Sequence, residues 1–103
     1  MLNHSIETYK LFFRSLANPN RLKIINSLRK SEKCVSEIIK STGFEQTMVS
    51  HNLKILEKCG MVFAKRNGKH KYYSLNKKTI KPLLIMIDNH MSEYCVHIIK
   101  GER

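Results

Sequence analysis

Five polar side chains between residues 46 and 54 have the chemistry and the spacing to contact nucleic-acid bases. They recur at intervals that place them on one face of a helix: Gln46, Thr47, Ser50, His51 and Lys54. Glutamine can pair with adenine through two hydrogen bonds, lysine can reach guanine or a phosphate, and serine or threonine can reach a base or a phosphate. On the opposite face Val49, Leu53 and Leu56 have the spacing of a buried stripe. A helix fits the major groove of duplex DNA, so the polar face is predicted to contact DNA.

Positive charge collects in and after the same segment. From residue 46 to residue 81 the chain has nine lysine and arginine residues and one acid, Glu57, and this segment supplies most of the net charge of +11. Three of these cations lie beside Asn67-Gly68, namely Arg66, Lys69 and Lys71. A short cationic hairpin tip suits contact with phosphates or entry into the minor groove. A small domain with this excess of positive charge is expected to bind an anionic partner.

Three cysteines could bind a soft metal ion or be oxidised. Cys34, Cys59 and Cys95 are an odd number without close spacing, which argues against a disulfide framework and favours a reducing compartment. Each is a candidate sensor residue. The alternative for each is a purely structural role, since a free cysteine ordinarily behaves as a small buried hydrophobe.

The elements that must position these residues are five helices and one hairpin. Apolar residues at helical spacing, interrupted by Asn18-Pro19 and by glycines, predict their bounds. The first helix is expected over 4–15, and the second from Pro19 to about Arg29. The third helix is expected to have Ser36 as its cap and to end at Gly43, and the fourth to span Glu45–Lys58. Two strands, Val62–Lys65 and Lys71–Leu75, and a last helix follow. The predicted fold class is mainly α with a small β-hairpin, in which the third and fourth helices form a helix-turn-helix and the hairpin forms a wing.

The last helix has an apolar residue at alternating spacings of four and three. The series is Ile80, Leu84, Ile87, Met91, Tyr94 and Ile98. A heptad stripe of this kind needs a partner helix in water, and packing within the chain is the alternative. Because the helix is long for so small a domain, we predict that the stripe forms a dimer interface.

Length and composition limit the number of domains, the location and the class of function that remain open. The chain has 103 residues, of which 42% are hydrophobic and 26% charged, as expected for one globular domain spanning 1–103. Its longest apolar run, Pro82–Ile87, is far too short to cross a membrane, and its first residues do not form a secretory signal. The sequence has no grouped nucleophile and base and no glycine-rich phosphate loop, so an enzyme is not expected. A cytoplasmic location is expected.

Four stretches of the chain match a set of motifs in order and at the expected spacing. Ser15–Ile24 resembles the opening LADPTRLRIL, and Val49–Leu56 resembles a recognition helix of the form VSHHLKxL. Cys59–Val62 is similar to a turn into a wing, and Arg66–Leu75 is similar to the hairpin RxGRxxYYxL. Over nearly its whole length the chain therefore resembles the ArsR/SmtB family of bacterial and archaeal repressors.

The resemblance implies a homodimeric winged helix-turn-helix that binds an imperfect inverted-repeat operator in double-stranded DNA and is released by an inducer. It also implies that the first and last helices form the dimer core. The predicted interface residues are Ile6, Tyr9, Phe13, Ile80, Leu84, Ile87, Met91 and Tyr94. The chain departs from the family at Glu45, where a serine usually caps the recognition helix. Glutamate caps poorly but suits the positive end of the helix dipole.

The metal-binding motifs that the resemblance implies are only partly present. At the third helix Cys34 matches the first cysteine of the motif ELCVCDL, but Ser36 replaces the second. A zinc site across the last helices would have its first pair of ligands at Lys77 and Thr79, which cannot serve, while the second pair, which begins at His90, is retained. The sequence therefore implies no required cofactor, and a soft metal ion or a thiol oxidant is the candidate signal.

Two functions from different classes are open at this point. The first is a DNA-binding transcriptional repressor released by such a signal. The second is a winged-helix adaptor that binds protein or nucleic acid without promoter specificity, since a fold does not by itself define a function. A repressor should bind its operator about 10³-fold or more tightly than random duplex, whereas a bare basic surface should show only steep salt dependence.

Overall fold

The computed structural model describes residues 4–101, which form helices, one helical turn of π type and one hairpin. In chain order the elements are α1 (Ile6–Leu16), α2 (Pro19–Ser27), α3 (Val35–Thr42), α4 (Gln46–Lys58), β1 (Val62–Asn67), β2 (His70–Leu75), α5 (Ile80–His90), the π turn (Met91–Cys95) and α6 (Val96–Ile99). This order confirms the predicted fold class, mainly α with a small β-hairpin. In the described part of the chain no helix is long and apolar enough to span a membrane.

The starts of α1 and α2 follow from local capping. Ser5 Oγ accepts a hydrogen bond from the backbone N–H three residues later at 3.3 Å, and Asn18 Oδ1 accepts one from the backbone N–H of Arg21 at 3.0 Å. Proline takes the first helical position after Asn18, where its missing N–H costs nothing. The predicted start of α2 is therefore confirmed, whereas its end lies at Ser27 instead of near Arg29.

The start of α3 differs from the prediction that Ser36 caps it. The cap position is Cys34, because the carboxylate of Glu37 accepts the backbone N–H of Cys34 at 3.0 Å and closes the first turn two residues earlier. Gly43 ends the helix as predicted, in the left-handed conformation with φ 76°. Glycine adopts this conformation without the steric cost that a side chain would add.

The hairpin is longer than predicted, and its turn is tighter. Its paired residues are Val62 with Leu75, Phe63 with Ser74, Ala64 with Tyr73, Lys65 with Tyr72, Arg66 with Lys71 and Asn67 with His70. Only Gly68 and Lys69 form the turn, and Gly68 has φ 65°. A two-residue hairpin turn that continues the twist of its strands needs a left-handed first residue, which glycine supplies.

The base of the hairpin is fixed to the helical part of the molecule. Lys33, before α3, exchanges two backbone hydrogen bonds with Tyr73, at 3.0 and 2.8 Å. After the hairpin, Asn76 donates its backbone N–H to Met61 O at 3.0 Å and its side-chain amide to Gly60 O at 2.9 Å. The wing therefore leaves the core from a rigid base, while residues 65–71 at its tip are all exposed.

The core draws buried side chains from both strands and from most of the helices. They are Leu16, Ile24, Ile25, Leu28, Ile38, Val49, Leu53, Leu56, Met61, Val62, Tyr73, Leu75, Ile80 and Leu84. The predicted buried stripe of α4 is confirmed by this set. Ile80 and Leu84, two of the predicted interface residues, are 3% and 6% exposed, and their contact with a second copy stays a prediction. The first two turns of α5 use them to pack on the chain's own core.

The last helix is not the uniform α-helix that the heptad pattern predicted. α5 passes at Met91 into the π turn, which ends at Cys95. Because an i→i+5 turn accommodates an extra residue, it rotates the side chains that follow relative to a continuous α-helix. The spacing of four and three therefore does not keep Ile98 in line with Ile80.

Candidate nucleic-acid interface

α4 exposes the face that the sequence predicts to contact DNA. The exposed side chains on this face are Gln46, Thr47, Ser50, His51 and Lys54. On the other side Val49, Leu53 and Leu56 are at most 1% exposed, so the polar face cannot turn inward without unpacking the core. Glu45 makes no side-chain hydrogen bond at the cap, as its residue type predicts. All five polar side chains are available to a ligand, and their contact with DNA stays a prediction.

The segment between α3 and α4 holds α4 in place. Thr42 Oγ1 donates to Ile38 O at 2.8 Å and accepts the backbone N–H of Phe44 at 3.3 Å. The half-buried Phe44 ring packs on the core, and Lys23 Nζ of α2 lies 5.7 Å from its centroid. This cation–π contact ties the turn to α2, so the angle between α3 and α4 does not depend on the turn alone.

A cleft brings the start of α4 and the wing tip together. It has a volume of about 280 Å³ and is lined by Cys34, Val35, Ser36, Ile39, Gln46, Lys69, His70 and Lys71. Gln46, the first residue of α4, thus shares one concave surface with two of the three predicted wing cations. None of the lining residues is acidic.

Arg66, the third predicted wing cation, lies outside this cleft. It borders a second cleft that also contains Glu32. In the strand register Arg66 is directly opposite Lys71, whose Nζ lies 5.6 Å from the centroid of the Tyr73 ring. Like charges directly opposite each other destabilise a hairpin. An anion bound at the wing tip would relieve this repulsion.

The cations of α4 and of the wing are not neutralised within the described part of the chain. Residues 4–101 contain two ion pairs, Lys10 with Glu7 at 3.8 Å and Arg29 with Asp88 at 2.5 Å. Neither pair includes a cation from α4 or the hairpin. The positive charge that the sequence concentrates here therefore faces solvent.

Glu37, in the first turn of α3, is an acid held in its charged form. The pKa of Glu37 is lowered from 4.5, chiefly by the hydrogen bonds from Cys34 and further by the positive charges of Lys33 and His70. The carboxylate also suits the positive end of the α3 dipole.

The three thiols are free and lie in different environments. Cys34 is buried, with its Sγ 3.1 Å from Ser36 Oγ. Cys59, at the end of α4, is exposed, and its Sγ lies 3.2 Å from Ser15 Oγ. Cys95 is half-buried in the π turn. A sensing role for each stays a prediction, and Cys59 is the most accessible of the three to a reagent.

The residues that correspond to the family's metal ligands do not form a site within one chain. Among residues 4–101 no group of three or more His, Cys, Asp or Glu side chains could hold a metal ion. Lys77 and Thr79 are exposed and are not zinc ligands. The His90 ring packs against Tyr94, with centroids 4.9 Å apart.

A buried polar residue of α4 was not among the predicted site residues. Asn52 lies on the core side of the helix and is 6% exposed. Its Oδ1 accepts from Arg21 Nη1 at 3.3 Å, and its Nδ2 donates to Met48 O at 2.9 Å. Arg21 also donates to the end of α1, from Nε to Ser15 O at 2.8 Å and from Nη2 to Arg14 O at 3.1 Å. The only sign of this in the sequence is a polar residue within the apolar stripe.

Apolar side chains are exposed on α1 and on the second half of the last helix. The exposed members of the predicted interface are Ile6, Tyr9, Phe13, Met91 and Tyr94. Ile6 and Phe13 are 71% and 60% exposed, and Ile87 is half-buried. Grouped apolar exposure on a small protein marks an interaction surface. Contact of these residues with a second copy stays a prediction.

Comparison with solved structures defines the class of protein. The solution structure of a homodimeric winged helix-turn-helix DNA-binding domain from Mycobacterium bovis superposes with a TM-score of 0.77 at 29% identity, over 94% of this chain and 95% of that one. A crystal structure of a Mycobacterium tuberculosis protein superposes with a TM-score of 0.81 at 29% identity, over 92% and 99%. The fold is that of a winged helix-turn-helix DNA-binding regulator.

Sequence comparison defines the family. A family model described as "Bacterial regulatory protein, arsR family" matches residues 18–63. A probable mercury resistance operon repressor from Streptomyces lividans is 34% identical, over 93% of this chain and 81% of its own length. A transcriptional repressor SmtB homolog from Synechocystis is 33% identical over 80% of this chain, which spans 62% of that relative's length. The chain belongs to the ArsR family of bacterial regulatory proteins.

Proposed function

We propose that this chain is a transcriptional repressor that binds, as a homodimer, an inverted-repeat operator in double-stranded DNA. The observation that carries the proposal is the acid-free cleft that joins Gln46 of α4 to Lys69 and Lys71 of the wing. A helix in the major groove and a wing along the neighbouring backbone would meet DNA from such a concave surface. The names of the two relatives, both repressors, support the regulatory role.

The side chains of this surface divide by what they can contact. On α4, Gln46, Ser50 and Lys54 have the chemistry for base edges, with Thr47 and His51 beside them for bases or phosphates. The wing cations suit phosphates, and binding there would relieve the repulsion across the hairpin. Specificity would therefore come from α4, and much of the affinity from the wing.

The homodimer in this proposal is supported by the apolar surfaces of α1 and the last helix. A second copy would cover Ile6, Tyr9 and Phe13 of α1 together with Met91 and Tyr94. It would also present two α4 helices to half-sites one helical turn, about 34 Å, apart. The relative from Mycobacterium bovis is described as homodimeric, which supports the same arrangement here.

The proposed signal is a soft metal ion or a thiol oxidant, in a cytoplasmic protein whose thiols are kept reduced. Mercury, named in the Streptomyces lividans relative, is a soft metal that thiolates prefer. Because no three-ligand group occurs among residues 4–101 of one chain, a metal would use one or two thiols or ligands from both protomers. Cys59 is the first candidate because it is exposed and contacts α1 through Ser15.

Fluorescence anisotropy with duplex DNA from upstream of the chain's own coding region tests the proposal. At fixed salt, the reduced, metal-free protein should bind a specific sequence about 10³-fold or more tightly than a scrambled duplex. One of Hg²⁺, Zn²⁺, Cd²⁺, arsenite or a disulfide-forming oxidant should abolish this preference, and single Cys→Ser variants should locate the responsible thiol. Equal affinity for every duplex would show that the chain is an adaptor and not a repressor.

Two charge reversals test the assigned face. Lys54→Glu and Lys78→Glu change the net charge equally, but only Lys54 lies on α4. Lys54→Glu should weaken operator binding at least about tenfold more than Lys78→Glu, because it removes a groove contact as well as a charge. Equal losses in the two variants would show that α4 is not the DNA-contacting face.

A further inference from the structure

The side chain of Arg21 links three helices. It begins on α2 and donates to two carbonyls in the last turn of α1, Ser15 O at 2.8 Å and Arg14 O at 3.1 Å. Carbonyls in the last turn of a helix have no partner within it, so these bonds fix the end of α1. The third bond runs to Asn52 Oδ1 of α4 at 3.3 Å. The guanidinium is planar and always charged, so it offers these donors in one fixed arrangement.

A second contact joins α1 to α4 near the same place. Ser15 Oγ, which donates to Leu11 O at 2.9 Å, also lies 3.2 Å from Cys59 Sγ at the end of α4. Asn52 and Cys59 are about two helical turns apart and thus lie on the same side of α4. α1 is therefore attached to α4 at two points, and α4 cannot tilt relative to α1 without breaking one of them.

We propose that Arg21 and Asn52 are positioning residues for DNA recognition, which set the orientation of α4 from the position of α1. This inference rests on the proposed function, in which α1 forms part of the dimer interface and α4 enters the major groove. Neither residue has to touch DNA, because Asn52 faces the core while Ser50 and His51 face solvent. The link would make the placement of both recognition helices depend on the geometry of the dimer.

A substitution at Asn52 can distinguish a role in positioning α4 from a role in stabilising the fold. A leucine has the branching of asparagine and would bury more apolar surface at this place. Removing one partner of a hydrogen bond costs stability chiefly when the other partner is left buried and unsatisfied. Arg21 is only half-buried, so water can satisfy the donor that Asn52→Leu would free. Asn52→Leu should therefore keep the fold and lose the link.

Operator binding of four variants tests the inference. They are Arg21→Lys, Asn52→Leu, the double variant and the control Arg14→Lys, which alters a side chain outside the link and keeps its backbone carbonyl. Each single variant in the link should bind the operator about tenfold more weakly, because each loses the hydrogen bond from the charged Arg21 donor to Asn52. Affinity for scrambled duplex should stay within about twofold, since all four changes preserve the net charge.

The double variant and thermal unfolding complete the test. The double variant should lose no more operator affinity than the weaker-binding single variant, because both changes break the same link. The melting temperature of Asn52→Leu should be no lower than that of the native protein. Arg14→Lys should bind the operator with the affinity of the native protein. If Arg21→Lys fails to fold, Asn52→Leu alone decides.

Four outcomes would overturn the inference. If the native protein prefers its operator and Asn52→Leu retains the full preference, the link does not position α4. Additive losses in the double variant, or a loss that follows a lowered melting temperature, would show a merely structural role. If the native protein shows no operator preference, the proposed function is wrong and the inference is wrong with it.

Discussion

α4 and the last helix are both amphipathic, and they use their apolar sides in opposite ways. α4 buries Val49, Leu53 and Leu56 in the chain's own core and turns its polar face to solvent. The last helix buries only its first two turns, through Ile80 and Leu84, and beyond them exposes apolar side chains. One helix thus presents charge and hydrogen-bonding groups to solvent, and the other presents apolar surface.

This difference indicates which partner suits each surface. Contacts between exposed cations and phosphates weaken as salt rises, because salt screens the charges and the counterions released from DNA on binding gain less entropy. Burial of apolar surface is driven by the hydrophobic effect, which salt does not screen. The two surfaces should therefore respond in opposite ways to salt and to substitutions that change charge or apolar area.

The largest expected difference between the two surfaces is the effect of salt on operator binding and on dimerisation. Raising the salt concentration from about 50 to about 200 mM should weaken operator binding about 10³-fold if the dimer contacts about six or more phosphates. Dimerisation should not weaken, since the interface assigned to it is apolar. Anisotropy and sedimentation on the same samples measure the two equilibria. Dissociation of the dimer over the same salt range would contradict the comparison.

Substitutions on the two faces of α4 should have opposite consequences. Leu53→Ala should reduce the free energy of unfolding by about 3 kcal/mol, because it leaves a cavity in a packed core. His51→Ala, two residues away on the exposed face, should change it by less than about 0.5 kcal/mol and still weaken operator binding. Urea denaturation and anisotropy measure these effects. A large loss of stability in His51→Ala would show that its face is not free.

A charge placed on the apolar surface of α1 should dissociate the dimer. Phe13→Glu should yield a monomer and reduce operator affinity about a hundredfold, because the second half-site no longer binds in the same event. Lys10→Gln, on the same helix, is the control because it lowers the net charge by the same one unit, and it should stay dimeric. Sedimentation measures both variants. If the Phe13→Glu protein remains dimeric, α1 is not part of the dimer interface.

The smallest expected effect is a pH dependence of the folding stability that Glu37 contributes. Its lowered pKa means that the charged form favours the folded state, so this contribution is present at neutral pH and is lost as the pH falls below 4.5 through the lowered pKa. Glu37→Gln should therefore melt lower than the native protein at about pH 7, and the difference should vanish in strong acid. Glu32→Gln is the matched control for the loss of one carboxylate from the same part of the chain.

Local signals in the sequence predicted much of the fold. Asn18-Pro19 predicted the start of α2, and Gly43 the end of α3, because capping geometry depends on residues adjacent in the chain. The spacing of Val49 and Leu53 predicted the buried side of α4, and thereby the five polar residues opposite. These predictions succeeded because each depends on a period or a turn within a few residues.

Competing local signals caused the errors. Ser36 is the better cap by residue type, but the Glu37 carboxylate accepts the backbone N–H of Cys34 and starts α3 earlier. Asn67 was placed in the hairpin turn, but it pairs with His70 because Gly68 takes the left-handed position. In both places two residues could supply the same geometry, and the sequence does not say which one does.

The sequence by itself determined which side of each helix is apolar, where the positive charge lies and to which family the chain is similar. Only the tertiary structure decided what covers each apolar side: the chain's own core at Ile80 and Leu84, but solvent beyond Met91. It also decided that Arg21 meets Asn52, thirty-one residues later. The physical reason is that a period along the chain specifies the direction of a side chain, whereas its partner depends on how distant segments pack.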